Sequence, residues 1–149
     1  MSNNKFIFDV DGTLTPSRGI IDLKFKAFFN TFCLTNDVYL VTGSDKVKTV
    51  EQISEPTYNL CKRVYQCNGN DVWEKDKRVH TNEWTLPEDA HEWLSAQLTE
   101  SDFNIRTGLH FEHRPGMVNF SVVGRNATLE QRAAYVDFEA WNGERRKIA

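Results

Sequence analysis

The chain has 149 residues, 26% of them charged and 40% hydrophobic, with a formal net charge of -3 at pH 7. That is the length of one ordinary domain with a real apolar core, and the slightly acidic balance argues against bulk nucleic-acid binding. No apolar run approaches the ~20 residues that span a bilayer, the start lacks a signal-peptide pattern, and the odd set Cys33, Cys61 and Cys67 has neither metal nor redox spacing, so reduced thiols in a cytoplasm are expected.

The first element is the apolar run Phe6-Ile7-Phe8, which ends abruptly in Asp9-Val10-Asp11-Gly12-Thr13. Side chains on a strand alternate faces, so Asp9 and Asp11 are expected to point the same way while Val10 turns into the core. Two like charges so close raise the pKa of one of them unless a cation sits between. Asp-Gly is also a hairpin signal, but a hairpin does not need a second Asp two residues earlier.

Thr13 to Ile21 is rich in turn residues. Asp22 can cap a helix whose Phe25, Phe28, Phe29 and Phe32 recur at helical spacing and form an apolar stripe for the core. Asp37-Val38-Tyr39-Leu40-Val41-Thr42-Gly43-Ser44-Asp45 repeats the opening pattern, an apolar strand ending in hydroxyls and Gly before a helix over about 46–53. Strand, helix, strand, helix implies parallel strands with right-handed crossovers. Ligands of such sheets collect beyond the carboxyl ends of the strands, which brings Thr42 and Ser44 beside Asp9 and Asp11. Hydroxyls and amides at a helix N-terminus suit a phosphate.

Arg63 to Cys67 reads as a third strand, followed by a small hairpin built from Val72-Trp73 and Arg78-Val79-His80. The character changes near Thr81 to Thr85, which places a domain boundary between residues 82 and 83. Beyond it, Pro87 opens a helix with Ala90, Trp93, Leu94 and Leu98 facing inward. Strands follow over 109–113 and 118–123, with a turn at Arg114-Pro115-Gly116. Phe111 and His113 share a strand face, and a structural role is expected for His113. Thr128-Leu129-Glu130-Gln131 is a capping box. The helix it starts carries Leu129, Ala133, Val136 and Ala140 on one face and meets no stop signal, which leaves Glu144 to Lys147 as solvated surface. Arg125 stands just before this helix and Arg132 one turn inside it. Two forked cations bracketing a helix N-terminus make an anion site, although surface arginines in weak ion pairs would produce the same spacing.

Asp9-Val10-Asp11-Gly12-Thr13 resembles the first motif of the haloacid dehalogenase-like phosphotransferases. Phe111-Glu112-His113-Arg114-Pro115-Gly116-Met117-Val118-Asn119 through Gly124-Arg125, with Arg132 seven residues on, resembles the cap signature of the eukaryotic-type phosphomannomutases. Arg18, Gly43-Ser44-Asp45 with Lys48, and Asn68-Gly69 fit the same pattern. The resemblance implies a parallel three-layer α/β core over 1–82 and an α+β cap of antiparallel sheet and helices over 83–149, both incomplete at the C-terminal side because family members continue further.

It also implies roles. Asp9 would be the nucleophile that forms an aspartyl phosphate and Asp11 the acid/base, with Mg²⁺ held at Asp9 and Asp11. Thr42 and Lys48 would complete the catalytic set. Arg18, Gly43, Ser44, Arg114, Arg125 and Arg132 would bind a sugar phosphate, and a hexose 1,6-bisphosphate would activate a mutase. Three departures stand out: Val41-Thr42-Gly43 where the family usually has Gly-Gly, Pro115 where Asn is common, and Cys67 where Glu is usual. Thr42 is closer to the phosphatase members, so a sugar-phosphate phosphatase is the alternative, and an inactive remnant that only binds sugar phosphates a third. An incomplete core sheet would expose an unpaired strand edge, from which a homodimer, side by side or swapped, is an expectation.

Overall fold

The computed structural model describes residues 4–149. The chain divides into two compact units, Met1–Glu83 and Trp84–Ala149. In the first, β1 (Lys5–Phe8), β2 (Asp37–Val41) and β3 (Arg63–Gln66) pair in parallel. The hairpin β4 (Asp71–Glu74) and β5 (Lys77–Thr81) extends the same sheet antiparallel from β3, so the strand order is β1-β2-β3-β4-β5.

The crossovers are α1 (Leu23–Thr35) between β1 and β2, then α2 (Lys46–Ile53) and α3 (Glu55–Leu60) between β2 and β3. Right-handed crossovers between strands laid down in neighbouring order put all three helices on one face of the sheet. The core shows this. Val38, Leu40 and Val64 pack with Phe29 and Cys33 of α1, Ile53 of α2, Tyr58 of α3 and the adjoining Cys61. The alternate strand residues Ile7, Tyr39, Val41 and Tyr65 line a hollow of about 820 Å³ on the opposite face. Ile7 is 67% exposed there, and β1 is an edge strand of the sheet among the described residues.

The second unit holds α4 (Glu88–Glu100), the hairpin β6 (Phe111–Arg114) and β7 (Met117–Phe120), α5 (Leu129–Asn142) and the short α6 (Glu144–Ile148). Its core is Phe103, Val122, Val123 and Tyr135, with Leu98, Phe120 and Phe138 packed against them. The two classes of sheet, mixed parallel and small antiparallel, are those expected of an α/β core with an α+β addition. No helix among the described residues is long and apolar enough to cross a membrane.

Several local expectations are corrected. Of the phenylalanine stripe, Phe29 is buried and the half-buried Phe32 packs on the core through edge-to-face contacts with Phe6 and Phe8, whereas Phe25 and Phe28 are exposed. In α4, Trp93 is exposed and Leu94 and Leu98 are half-buried. The buried face of α5 lies nearly opposite the expected one, because Tyr135 and Phe138 fill the core while Leu129 and Val136 lie in solvent. Larger aromatic area outweighs a run of smaller apolar residues at the same period.

Helix α5 also does stop. Gly143, at φ +67, caps it in the left-handed region that glycine adopts most easily. Glu144 then folds inward, buried, and accepts the Tyr135 hydroxyl proton at 2.8 Å, so it is not solvated surface. His113 is exposed, and the imidazole that stacks on Phe111 is His91.

Leu40 is fully buried at the centre of the first core. Leu40→Ala is expected to lower unfolding free energy by about 2–5 kcal/mol in urea titration, with the slope of the transition unchanged.

Candidate functional site

The first constellation lies at the carboxyl ends of β1 and β2. Asp9 follows β1 directly and is exposed. Val10, fully buried, pins the chain, and its carbonyl accepts the N–H groups of Thr13, Leu14 and Thr15 together with the Thr15 hydroxyl. Gly12 closes the reversal by donating its N–H to the Thr15 carbonyl at 2.8 Å. The strand therefore ends before Asp11, and strand alternation is not what aims that carboxylate.

Hydrogen bonds aim it instead. Asp11 Oδ1 accepts the backbone N–H of Arg18 at 2.6 Å and the Gln52 amide at 2.9 Å, and Oδ2 accepts the Ser44 hydroxyl at 3.3 Å. Burial pushes the Asp11 carboxyl up, but these donors and the charge of Lys48 outweigh it and hold the pKa below the usual carboxylate value. The upward shift expected from two adjacent carboxylates is thus absent at Asp11. Its donors, not its acidic neighbour, set its charge state.

The β2 loop supplies the next layer. Thr42 is buried; its hydroxyl accepts the Ser44 N–H at 3.1 Å, and its carbonyl accepts the Asn68 N–H at 3.0 Å. A Cβ on Gly43 would stand 3.4 Å from the Asn68 side-chain oxygen, so the loop passes close to Asn68. Lys48 sits in the first turn of α2, where Asp45 caps its N–H at 2.9 Å. Asp11, Ser44, Lys48 and the Arg18 backbone are thus brought together. Arg18 itself has φ +60 and contributes its amide, while its residue as a whole is exposed.

Gln52 escaped the sequence reading. It is 3% exposed, and its Nε2 donates to Asp11, to the Thr15 hydroxyl at 3.3 Å and to the Gly19 carbonyl at 3.4 Å. Its position four residues after Lys48, hence on the same helix face, was the available signal. Among the described residues no group of three or more His, Cys, Asp or Glu side chains forms a metal cluster. Two carboxylates alone still fit Mg²⁺, which keeps waters and is bound through one or two carboxylates plus substrate phosphates.

The second constellation belongs to the other unit. Glu112 on β6 accepts Arg114 at 3.1 Å through Oε1, and Arg125 at 2.5 Å and Asn119 at 3.1 Å through Oε2. Burial raises the Glu112 pKa, but the hydrogen bonds of Arg114 and Asn119 and both guanidinium charges bring it below the usual glutamate value. Arg114 is the most enclosed, with its side chain 7% exposed against 23% for Arg125.

Arg132 does not stand beside Arg125 as a second open fork. Its guanidinium donates to the Ala127 carbonyl at 3.1 Å and to the Arg125 carbonyl at 2.7 Å, tying down the loop that carries Arg125. Gly124 fixes that loop from the other side. It has φ +89, and a Cβ there would fall 1.8 Å from the Thr107 carbonyl oxygen. The pair that the structure assembles is Arg114 with Arg125, through Glu112.

Two outcomes follow for the sites. Gln52→Ala removes one donor shared by three acceptors, so stability is expected to fall by about 1–3 kcal/mol and the Arg18 amide to exchange faster in hydrogen-exchange measurements. Gly124→Ala combines left-handed strain with a backbone clash, so it is expected to cost more than about 2 kcal/mol and to shift the Arg125 and Thr107 amide resonances more than those of the first unit.

The sequence profile of the eukaryotic phosphomannomutase family matches residues 25–149. Individual relatives include phosphomannomutases from Glycine max, 29% identical over 95% of this chain, and from Saccharomyces cerevisiae, 30% identical over 93% of it. The chain spans 60% and 56% of the length of those two proteins. Among solved structures, a haloacid dehalogenase-like hydrolase from Bacteroides thetaiotaomicron matches 66% of this chain and 38% of its own, with TM-score 0.50 and 19% identity, a likeness of fold. The profile match over most of the chain, with Arg114, Arg125 and Arg132 inside it, makes this chain a member of the eukaryotic phosphomannomutase family.

Proposed function

We propose that the chain carries the phosphoryl-transfer and sugar-phosphate-binding parts of a Mg²⁺-dependent phosphohexomutase of the phosphomannomutase type. The observation that supports it most is the ionised Asp11, held by the Arg18 amide, Gln52 and Ser44 next to Asp9 at the end of β1. Asp9 is the nucleophile. Its oxygen attacks phosphorus, the bond to the sugar oxygen breaks, and Asp11, having first taken up a proton from solvent, passes it to the departing oxygen and is left ionised. In the return step a hydroxyl at the other end of the hexose attacks the aspartyl phosphate, gives its proton to Asp11 and frees Asp9. Hexose 1,6-bisphosphate primes the cycle.

Mg²⁺, held by Asp9 and Asp11, supplies neutralisation of the incoming phosphate charge. Ser44 and the backbone around Gly43 receive the transferring phosphoryl group, and the charge of Lys48 acts on the same carboxylate. Arg18, Arg114 and Arg125 are the anion-binding side chains, and Arg132 serves them by holding the Arg125 loop. The residues from 84 on act as the cap and those before as the core. A homodimer through an exposed edge such as β1 belongs to the same reading.

One observation favours a second reading, a sugar-phosphate phosphatase: the buried Thr42 hydroxyl, which orders the Ser44 amide at the phosphoryl end of the loop. The two are separated by assaying mannose 1-phosphate with Mg²⁺, with and without a hexose 1,6-bisphosphate. Isomerisation that requires the bisphosphate is expected. Release of inorganic phosphate alone overturns the mutase and leaves the phosphatase. Asp9→Asn abolishes either activity, and Asp11→Asn lowers it by about 10²–10⁴-fold. Binding of hexose phosphate with no turnover at any Mg²⁺ concentration reduces the chain to a binding protein.

A further inference from the structure

Two guanidinium groups on a surface repel one another and lose rotamer freedom when fixed, so a preformed anion site needs something to hold them. In this unit one carboxylate meets both. Glu112 Oε1 takes Arg114, and Oε2 takes Arg125 and the Asn119 amide. β6 and β7 are in register so that Glu112 stands opposite Asn119, which is why the amide reaches it. One acidic group therefore sets the position of two basic ones drawn from different places, the end of β6 and the loop before α5.

We propose that Glu112 is a positioning residue for the anion site, orienting Arg114 and Arg125 toward a sugar phosphate while Asn119 fixes its own carboxylate. This rests on the anion-binding reading of the arginines above. It runs against simple charge counting, because a glutamate beside a phosphate site should repel the ligand. If Glu112 were only a nearby negative charge, neutralising it would tighten binding. If it orients the forks, neutralising it weakens binding, because a glutamine amide has one acceptor oxygen for two guanidinium groups and turns its NH₂ toward the second.

The test uses the full 149-residue chain. Calorimetric titration with mannose 1-phosphate, and separately with inorganic phosphate, compares wild type with Glu112→Gln and with Asn119→Ala. The expected result is binding of mannose 1-phosphate weakened roughly tenfold in Glu112→Gln. Asn119→Ala, which changes no charge, shifts it the same way by less, and it carries the test should Glu112→Gln fail to fold. A dissociation constant that is unchanged or tighter in both variants overturns the proposal.

A second measurement needs no ligand. In ¹⁵N spectra of arginine side chains, the Arg114 and Arg125 guanidinium signals are expected to show slowed rotation in wild type and averaged signals in Glu112→Gln. Identical spectra overturn the proposal. If wild type binds no sugar phosphate at all, the sugar-phosphate reading fails, and these spectra alone decide whether Glu112 orders the arginines.

Discussion

The chain must reverse direction immediately after β1 and still leave a carboxylate standing at the sheet end. That constraint organises the first unit. A single buried carbonyl, that of Val10, collects the donors of the reversal, and Asp11 collects those of the segment that follows. The loop thus folds around two acceptors. Gln52 closes it from α2, with its side chain on Asp11 and its backbone carbonyl accepting the Ile21 N–H at 2.9 Å. One of the donors that hold Asp11 ionised is thus also the residue that fastens the loop to the helix layer.

The arginine cluster of the second unit solves the mirror problem. In the first unit donors surround a carboxylate. In the second a carboxylate gathers the cations. Both arrangements depress a carboxyl pKa against a burial cost, at Asp11 and at Glu112. Each puts a charge where an unpaired one would not persist, because fixed partners replace lost water. Arg132 and Gly124 extend the same economy to the backbone, the first by binding carbonyls and the second by allowing an approach that no side chain permits.

Residues that repeat with a period or sit in a known pattern were legible in the sequence. β1, β2, β3, α2 and the Thr128 capping box follow from apolar runs and caps, and motif spacing singled out Asp11 with Ser44 and Arg114 with Arg125, though not the place of Arg132. Gln52 and Glu112 were not read as site residues, because each acts through tertiary partners far away in sequence or across a hairpin and carries no periodic signal. Helix α5 shows a different limit. Two faces of it satisfy helical spacing, and only the volume available in the core decides that Tyr135 and Phe138 go in rather than Leu129 and Val136. The position of Glu144 was hidden for a related reason, since an acidic residue next to three basic ones reads as surface until a buried tyrosine hydroxyl asks for an acceptor.

A parallel sheet is ordinarily covered on both faces, and here the helices of the first unit cover one, leaving Ile7, Tyr39, Val41 and Tyr65 around an open hollow. The Asp11 network does not draw on that open face. Its partners come from the loop after β1, from the loop after β2 and from α2, which packs on the covered side. The geometry of the Asp11 carboxylate and the coverage of the sheet are therefore separable physical questions. Whatever surface lies against Ile7 changes the stability of the sheet through buried apolar area, whereas the direction and ionisation of Asp11 are fixed by hydrogen bonds made within a span of about forty residues. Loss of the first need not disturb the second, and substitutions at Ile7 and at Gln52 act on different terms of the same fold.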